Sequence, residues 1–170
     1  MTDARRAANA SNLRRLMDFD LTPEQRQFRD AVADFARREL NKDVAERDRA
    51  GTFSRSAWER CAGFGLQGLP VPEEYGGSGA DATTIMAALE GLGYGCTDNG
   101  LIFSLNAQMW SCELPLLTFG TEKQKREYLP RLCDGSLIAI PYLTRMGDVS
   151  TLPRSSRTRI PLYGTTRRDQ

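Results

Sequence analysis

Residues 119–136, FGTEKQKREYLPRLCDGS, decide the fold class when read with the earlier stretch 69–81, LPVPEEYGGSGAD. Gly120 and Thr121 lead into a capped helix over 122–129, which Pro130 is expected to end. Lys123, Lys125 and Arg126 read as solvated helix charges beside Glu122 and Glu127, the alternative being a basic patch for nucleotide or coenzyme phosphates. Residues 66–80 cannot be helix, because Pro70, Pro72, Gly76, Gly77 and Gly79 punctuate them too densely, so they form an ordered, turn-rich loop. There Tyr75 supplies an amphipathic ring, and Gly76, Gly77 and Gly79 permit positive backbone angles, so the loop lies flat against helices. It lacks the GK[ST] ending and the preceding strand of a phosphate loop. Glu73 and Glu74, adjacent in a loop, point apart and read as solvated rather than as an acid/base pair.

Working outward, Thr22-Pro23-Glu24-Gln25 opens a long helix with a capping box. Phe28, Ala31, Val32, Phe35, Leu40 and Val44 form its apolar face, the pattern fades in the charged run 45–49, and Gly51 ends it. Ser54 or Ser56 caps a second helix carrying Trp58, Cys61, Ala62 and Phe64, unwound by Gly63 and Gly65. A third starts at the cap Asp81 and carries Ile85, Met86, Leu89 and Leu92. With no strand before it, Gly91-Leu92-Gly93-Tyr94-Gly95 reads as a helix stop rather than a dinucleotide turn. The fourth starts near Thr97 or Asp98; its broad apolar face of Leu101, Ile102, Phe103, Leu105 and Trp110 implies burial on more than one side, and Pro115 breaks or kinks it. Residues 137–144, LIAIPYLT, change the period to that of a strand, with Pro141 fitting an edge or an end.

The chain of 170 residues has 40% apolar composition and a net charge of +1, which allows one good core and gives no bulk field for nucleic acid or an anionic membrane. With no histidine, neither a Ser-His-Asp nor a Cys-His hydrolase nor a His-based zinc site can be built. Cys61, Cys96, Cys112 and Cys133 form no CxxC pair and sit in apolar contexts, so they read as buried, inert thiols of a reducing compartment. No membrane-span-length apolar run and no secretory centre is present, and a cytoplasmic protein is expected.

This order of helices, Pro/Gly loop and final strand resembles the N-terminal helical domain of flavin-dependent acyl-CoA dehydrogenases. Three anchors carry the resemblance: LTPEQRQFRDAVADFARREL at the first helix, GLQGLPVPEEYGGSGAD at the loop and LPLLTFGTEKQKREYLPRLCDGS at the fifth helix. The resemblance implies an all-α bundle ending in one strand of an incomplete β-domain. Residues 1–18 are then a flexible leader, 19–136 the helical domain, 137–144 the first β-domain strand and 145–170 a disordered, Arg-rich tail.

It also implies a function: oxidation of an acyl thioester, on coenzyme A or a carrier protein, to its α,β-unsaturated product, with FAD taking the hydride and passing electrons to a protein acceptor or oxygen. Homo-oligomerisation is left open. On the fourth helix, Phe103, Ser104, Ala107 and Gln108 match positions that wall the acyl cavity, although Phe103 also reads as core; if it lines the cavity, with Trp110 nearby, it favours a small or branched acyl group. Leu143 and Thr144 match positions that hold the flavin ring. After them the pattern departs: Arg145-Met146 replaces Glu-Pro, Gly147-Asp148-Val149-Ser150 replaces Gly-Ser-Asp, and Pro141 takes an aromatic position. No catalytic residue is assigned, because the family's base belongs to a C-terminal helical domain. The expectation is an incomplete fragment, inactive alone, whose residues 145–170 come from a shifted reading frame; a non-enzymatic helical interaction module is the alternative.

Overall fold

The computed structural model describes residues 20–139, and among these the secondary structure is helical. Helix α1 (Pro23–Glu39) begins as its capping box dictates: Thr22 Oγ1 accepts from the Gln25 amide at 3.2 Å and Gln25 Oε1 accepts from the Thr22 amide at 3.0 Å. The expected single long helix is two. The chain leaves α1 at Leu40, passes Asp43 in the left-handed region (φ 54°), and resumes as α2 (Val44–Ala50), so the charged run is itself helical. The break lets Asn41 reach another element: its Nδ2 donates to the Gly95 carbonyl and its Oδ1 accepts from the Thr97 amide, both at 2.8 Å. Gly51, in the left-handed region, closes α2.

Ser54 caps α3 (Arg55–Phe64) by accepting from the Ala57 amide, and Gly65 ends it. The loop that follows contains one 3₁₀ turn, Glu73–Tyr75. Gly76 and Gly79 take positive φ, whereas Gly77 does not; its hydrogen side chain is needed for close approach, since a Cβ there would lie 2.0 Å from the Val71 carbonyl oxygen. Tyr75 is buried and its hydroxyl donates to the Glu122 carboxylate at 3.0 Å.

Asp81 caps α4 (Ala82–Gly95) by accepting from the Thr84 amide at 2.8 Å. It runs through Gly91 and Gly93 and ends at Gly95, as its glycines suggest. Helices α1 and α4 lie side by side in the same direction, and a Cβ on Gly91 would stand 2.2 Å from the Arg29 carbonyl oxygen, one on Gly95 2.3 Å from that of Ala33. Gly91 and Gly95 are thus the surface that lets two backbones meet, a tertiary role that overrides their low helix propensity.

Asp98 caps α5 (Asn99–Gln108), which runs without a break into a π-turn (Met109–Glu113) and then α6 (Leu114–Phe119). Pro115 does not break this helix. A proline ring clashes with the carbonyl four residues back, and the wider turn immediately before it, closed by the Leu114 amide on the Met109 carbonyl, makes the room. Thr121 and Gln124 form the capping box of α7 (Glu122–Cys133), which continues through Pro130 rather than ending there. Buried Leu129 on one side of the proline and Leu132 and Cys133 on the other hold the last turn in place by packing.

Two cores result. The first joins Val32, Phe35 and Leu40 to Trp58, Leu66, Ile85, Leu92, Leu101, Leu105 and Met109, with Phe35 stacked on Phe64 at 4.3 Å. The second joins the loop residues Val71 and Tyr75 to Cys112, Leu116, Leu129, Leu132, Leu137 and Ala139. Of the expected strand, 137–139 are described and form no ladder; its remainder, the leader and the tail lie outside the described residues. No described helix is long and apolar enough to cross a membrane.

Candidate functional site

Helix α5 carries the four residues expected to wall a cavity, and the structure divides them. Phe103 and Ser104 line an open groove of about 710 Å³ between α2, the 51–54 turn and the start of α5. Phe103 is 74% exposed, so it is not core. Ala107, one turn on and on Phe103's side of the helix, is half-buried and does not line the groove. Gln108 is wholly buried and faces α7 instead. Trp110 packs against the first core, its Nε1 donating to Asn106 Oδ1 at 3.3 Å, so the exposed bulk on this face is the Phe103 ring.

The groove's polar wall is an ion pair. Arg47 of α2 meets the Asp98 carboxylate at 2.7 Å, both side chains mostly buried. Burial alone would raise the Asp98 carboxyl, but hydrogen bonds from Arg47 and the Leu101 amide outweigh it and hold the group below its ordinary value. Asp98 therefore caps α5 and pins α2 to it at once. Its other rim is apolar, with Phe53 half-exposed and tilted against Trp58.

A second constellation escaped the sequence reading. The π-turn brings Gln108 and Glu113 side by side, five positions apart, and Gln108 Nε2 donates to Glu113 Oε1 at 2.8 Å. The same nitrogen donates to the Leu132 carbonyl at 3.3 Å, and Gln108 Oε1 accepts from the Ala139 amide at 3.2 Å. Glu113 is fully buried, and its Oε2 has no hydrogen-bond partner among the described residues. Burial pushes its carboxyl up to about 8, against the smaller lowering effect of Gln108. The available signal is an acid two residues before Pro115 in an apolar stretch; without the π-turn, nothing joins it to Gln108.

The cysteines are free and buried. Burial pushes Cys61 and Cys133 up to about 12 and Cys112 up to about 11, so they stay protonated and inert as thiolate nucleophiles. Lys123 is exposed and Lys125 half-buried on α7, while Arg126 pairs with Glu122 at 2.7 Å and sits over the Tyr75 ring. Leu143 and Thr144, the expected flavin contacts, lie outside the described residues.

Comparison with known proteins covers the same stretch. The family described as "Acyl-CoA dehydrogenase, N-terminal domain" matches residues 22–136. The probable acyl-CoA dehydrogenase YngJ of Bacillus subtilis is 37% identical over 122 residues, covering 72% of this chain and 32% of its own length. Among solved structures, the prolyl acyl carrier protein oxidase AnaB is 52% identical with a TM-score of 0.68, over 71% of this chain and 32% of that one. PigA with FAD and proline is 36% identical with a TM-score of 0.67, over 72% and 32%. The chain thus spans about a third of the length of these relatives. Both the anchors and the helix order place it in the acyl-CoA dehydrogenase family, over the stretch that forms that family's N-terminal domain.

Proposed function

We propose that this chain supplies the helical wall of an FAD-dependent enzyme that oxidises a small, compact acyl thioester on a carrier protein, of the prolyl type. The observation that carries this reading is Phe103. Phe103, on the helix matched to the family's cavity wall, is exposed and stands outside both cores, which supports a cavity too short for a long acyl chain. The 52% identity to a prolyl acyl carrier protein oxidase supports the same substrate class, and coenzyme A thioesters are the competing carriers.

The 66–80 loop does not fit the phosphates of FAD. The loop amides that could cradle phosphates are spent internally: Gly76, Gly77, Ser78, Gly79 and Ala80 each donate to a carbonyl within the same loop. Flavin contacts fall to residues beyond 139, Leu143 and Thr144 among them, and the proton-abstracting base to the family's C-terminal domain. No chemical step is placed on the described residues. Their part is to shape the acyl cavity; the electron acceptor, a protein or oxygen, belongs to the whole enzyme.

Titration of the purified 170-residue chain with FAD, followed in the flavin absorption bands, tests this division. The expected result is little or no bound flavin and no turnover of a prolyl carrier-protein thioester. Tightly held FAD with turnover by this chain alone would refute it. A non-enzymatic interaction module is favoured by a different observation, that Phe119 as well as Phe103 is exposed, at 79%. A colourless, stable heterocomplex, with no effect of the chain's residues on thioester specificity when placed in a full-length relative, is its signature.

A further inference from the structure

Gln108 is the point where α5, α7 and the 137–139 segment meet. Its amide has one acceptor and two donor hydrogens, and all three described contacts are made inside the protein: donors to Glu113 Oε1 and the Leu132 carbonyl, acceptor from the Ala139 amide. The two donor contacts determine which way round the amide sits. A flipped Gln108 would place its oxygen against the Leu132 carbonyl and its nitrogen against the Ala139 N–H, losing both backbone bonds. Glu113 therefore acts on Ala139 through Gln108, and the π-turn is what places the two side chains within reach.

We propose that Gln108 and Glu113 are a positioning pair, a buried acid–amide clamp that holds the Ala139 backbone against α5 and α7 and releases it when Glu113 loses its proton. The bearing of the clamp on flavin, through the segment carrying Leu143 and Thr144, rests on the function proposed above; the clamp itself does not.

The release follows from what surrounds the acid. The titratable groups facing it are the thiols of Cys112 on its own turn and Cys133 on α7, both neutral, with Asp134 next to Cys133. Among the described residues no cation pairs with it, and Gln108 offers it one hydrogen bond. The protonated acid keeps Oε1 as an acceptor at no charge cost. An ionised carboxylate would be a buried charge with one neutral donor, which opening of the clamp to water relieves. The Leu137 amide, bonded to the Arg131 carbonyl at 2.9 Å and independent of Gln108, is a built-in control.

Hydrogen-exchange protection factors of the Ala139 and Leu137 amides, measured by NMR on the 170-residue chain from pH 6 to 9.5, test the clamp. Expected is an Ala139 protection factor that is flat at low pH and falls roughly tenfold per unit above about 8, with Leu137 unchanged. Glu113→Gln, which keeps the accepting oxygen, should retain protection and lose the pH dependence. Gln108→Leu should lose Ala139 protection at every pH. If that variant unfolds, so that Leu137 exchanges freely too, Gln108→Asn, which withdraws the acceptor but stays polar, replaces it with the same expectation. Full Ala139 protection without the Gln108 acceptor, or an unaltered pH dependence in Glu113→Gln, would overturn the proposal.

Discussion

At Gly91 a single hydrogen atom decides whether two helices can meet. Overpacking a tight contact costs about 1–3 kcal/mol, and here the obstacle is backbone rather than a side chain that can swing away. Gly91→Ala and Gly95→Ala are therefore expected to destabilise the chain by at least that amount in urea unfolding. Gly93→Ala, whose Cβ meets nothing within 4 Å, should instead stabilise it by about 0.5–1 kcal/mol through helix propensity. Equal effects at the three positions would contradict the helix contact. Glu113 sets a second residue-scale expectation, with its sign fixed by linkage. Between the ordinary value of 4.5 and about 8 the folded chain keeps a proton that the unfolded chain has released, so stability declines as pH rises through that window and levels off above it. Glu113→Gln should remove that component, and its advantage over the parent chain at pH 9, compared with pH 5, should be of the order of a few kcal/mol. A difference that stays constant with pH would show that the buried acid ionises as freely in the folded chain as in the unfolded one. Neither residue's role was legible in the sequence. Glycines in a helical pattern look alike until a neighbouring backbone is known, and Gln108 and Glu113 have no special spacing on an ordinary α-helix.

The elements themselves were far more legible, because their starts are local chemistry. Thr22, Ser54, Asp81, Asp98 and Thr121 all cap helices as their side chains and downstream amides require. The ends were harder. In the sequence Pro115 marks a break or kink and Pro130 a helix end, yet a π-turn absorbs the first and core packing on both sides overrides the second. The charged run 45–49 was read as a fading helix, yet it forms α2, held by a bond invisible in local pattern: Arg47 to Asp98, 51 positions apart. Asp98 therefore ties two elements together, which gives α5 its own prediction. Asp98→Ala loses the cap and leaves Arg47 unpaired in a mostly buried site, for an expected cost of about 2–3 kcal/mol. Asp98→Asn keeps the cap oxygen and should recover part of that loss. Because the Asp98 carboxyl is held below its ordinary 3.8, its contribution is present above that value and lost as pH falls through the lowered one. An Asp98→Ala variant as stable as the parent at pH 7 would contradict the pinning of α2 to α5.

For the whole molecule, the three sequence anchors and the helix order sufficed for the family, and the described residues fold as its helical domain. Which of the four positions matched to a cavity wall share a surface was not legible in the sequence. Phe103 and Ser104 do share a groove, while Gln108, matched by position alone, turns inward, about 140° around the helix from Phe103. Leu143 and Thr144, matched to flavin-holding positions by resemblance, lie outside the described residues; the proposed division of labour gives cavity shape to 20–139 and cofactor chemistry to the rest of the enzyme. The most direct measurement is kcat/KM for a chimaera in which residues 22–136 replace the matching N-terminal stretch of the prolyl acyl carrier protein oxidase. The account predicts FAD loading and oxidation of the prolyl carrier-protein thioester within about tenfold of the parent enzyme, with butyryl coenzyme A turned over no better than by that parent. A folded, FAD-loaded chimaera that has lost prolyl oxidation, or that prefers the butyryl thioester, would contradict it.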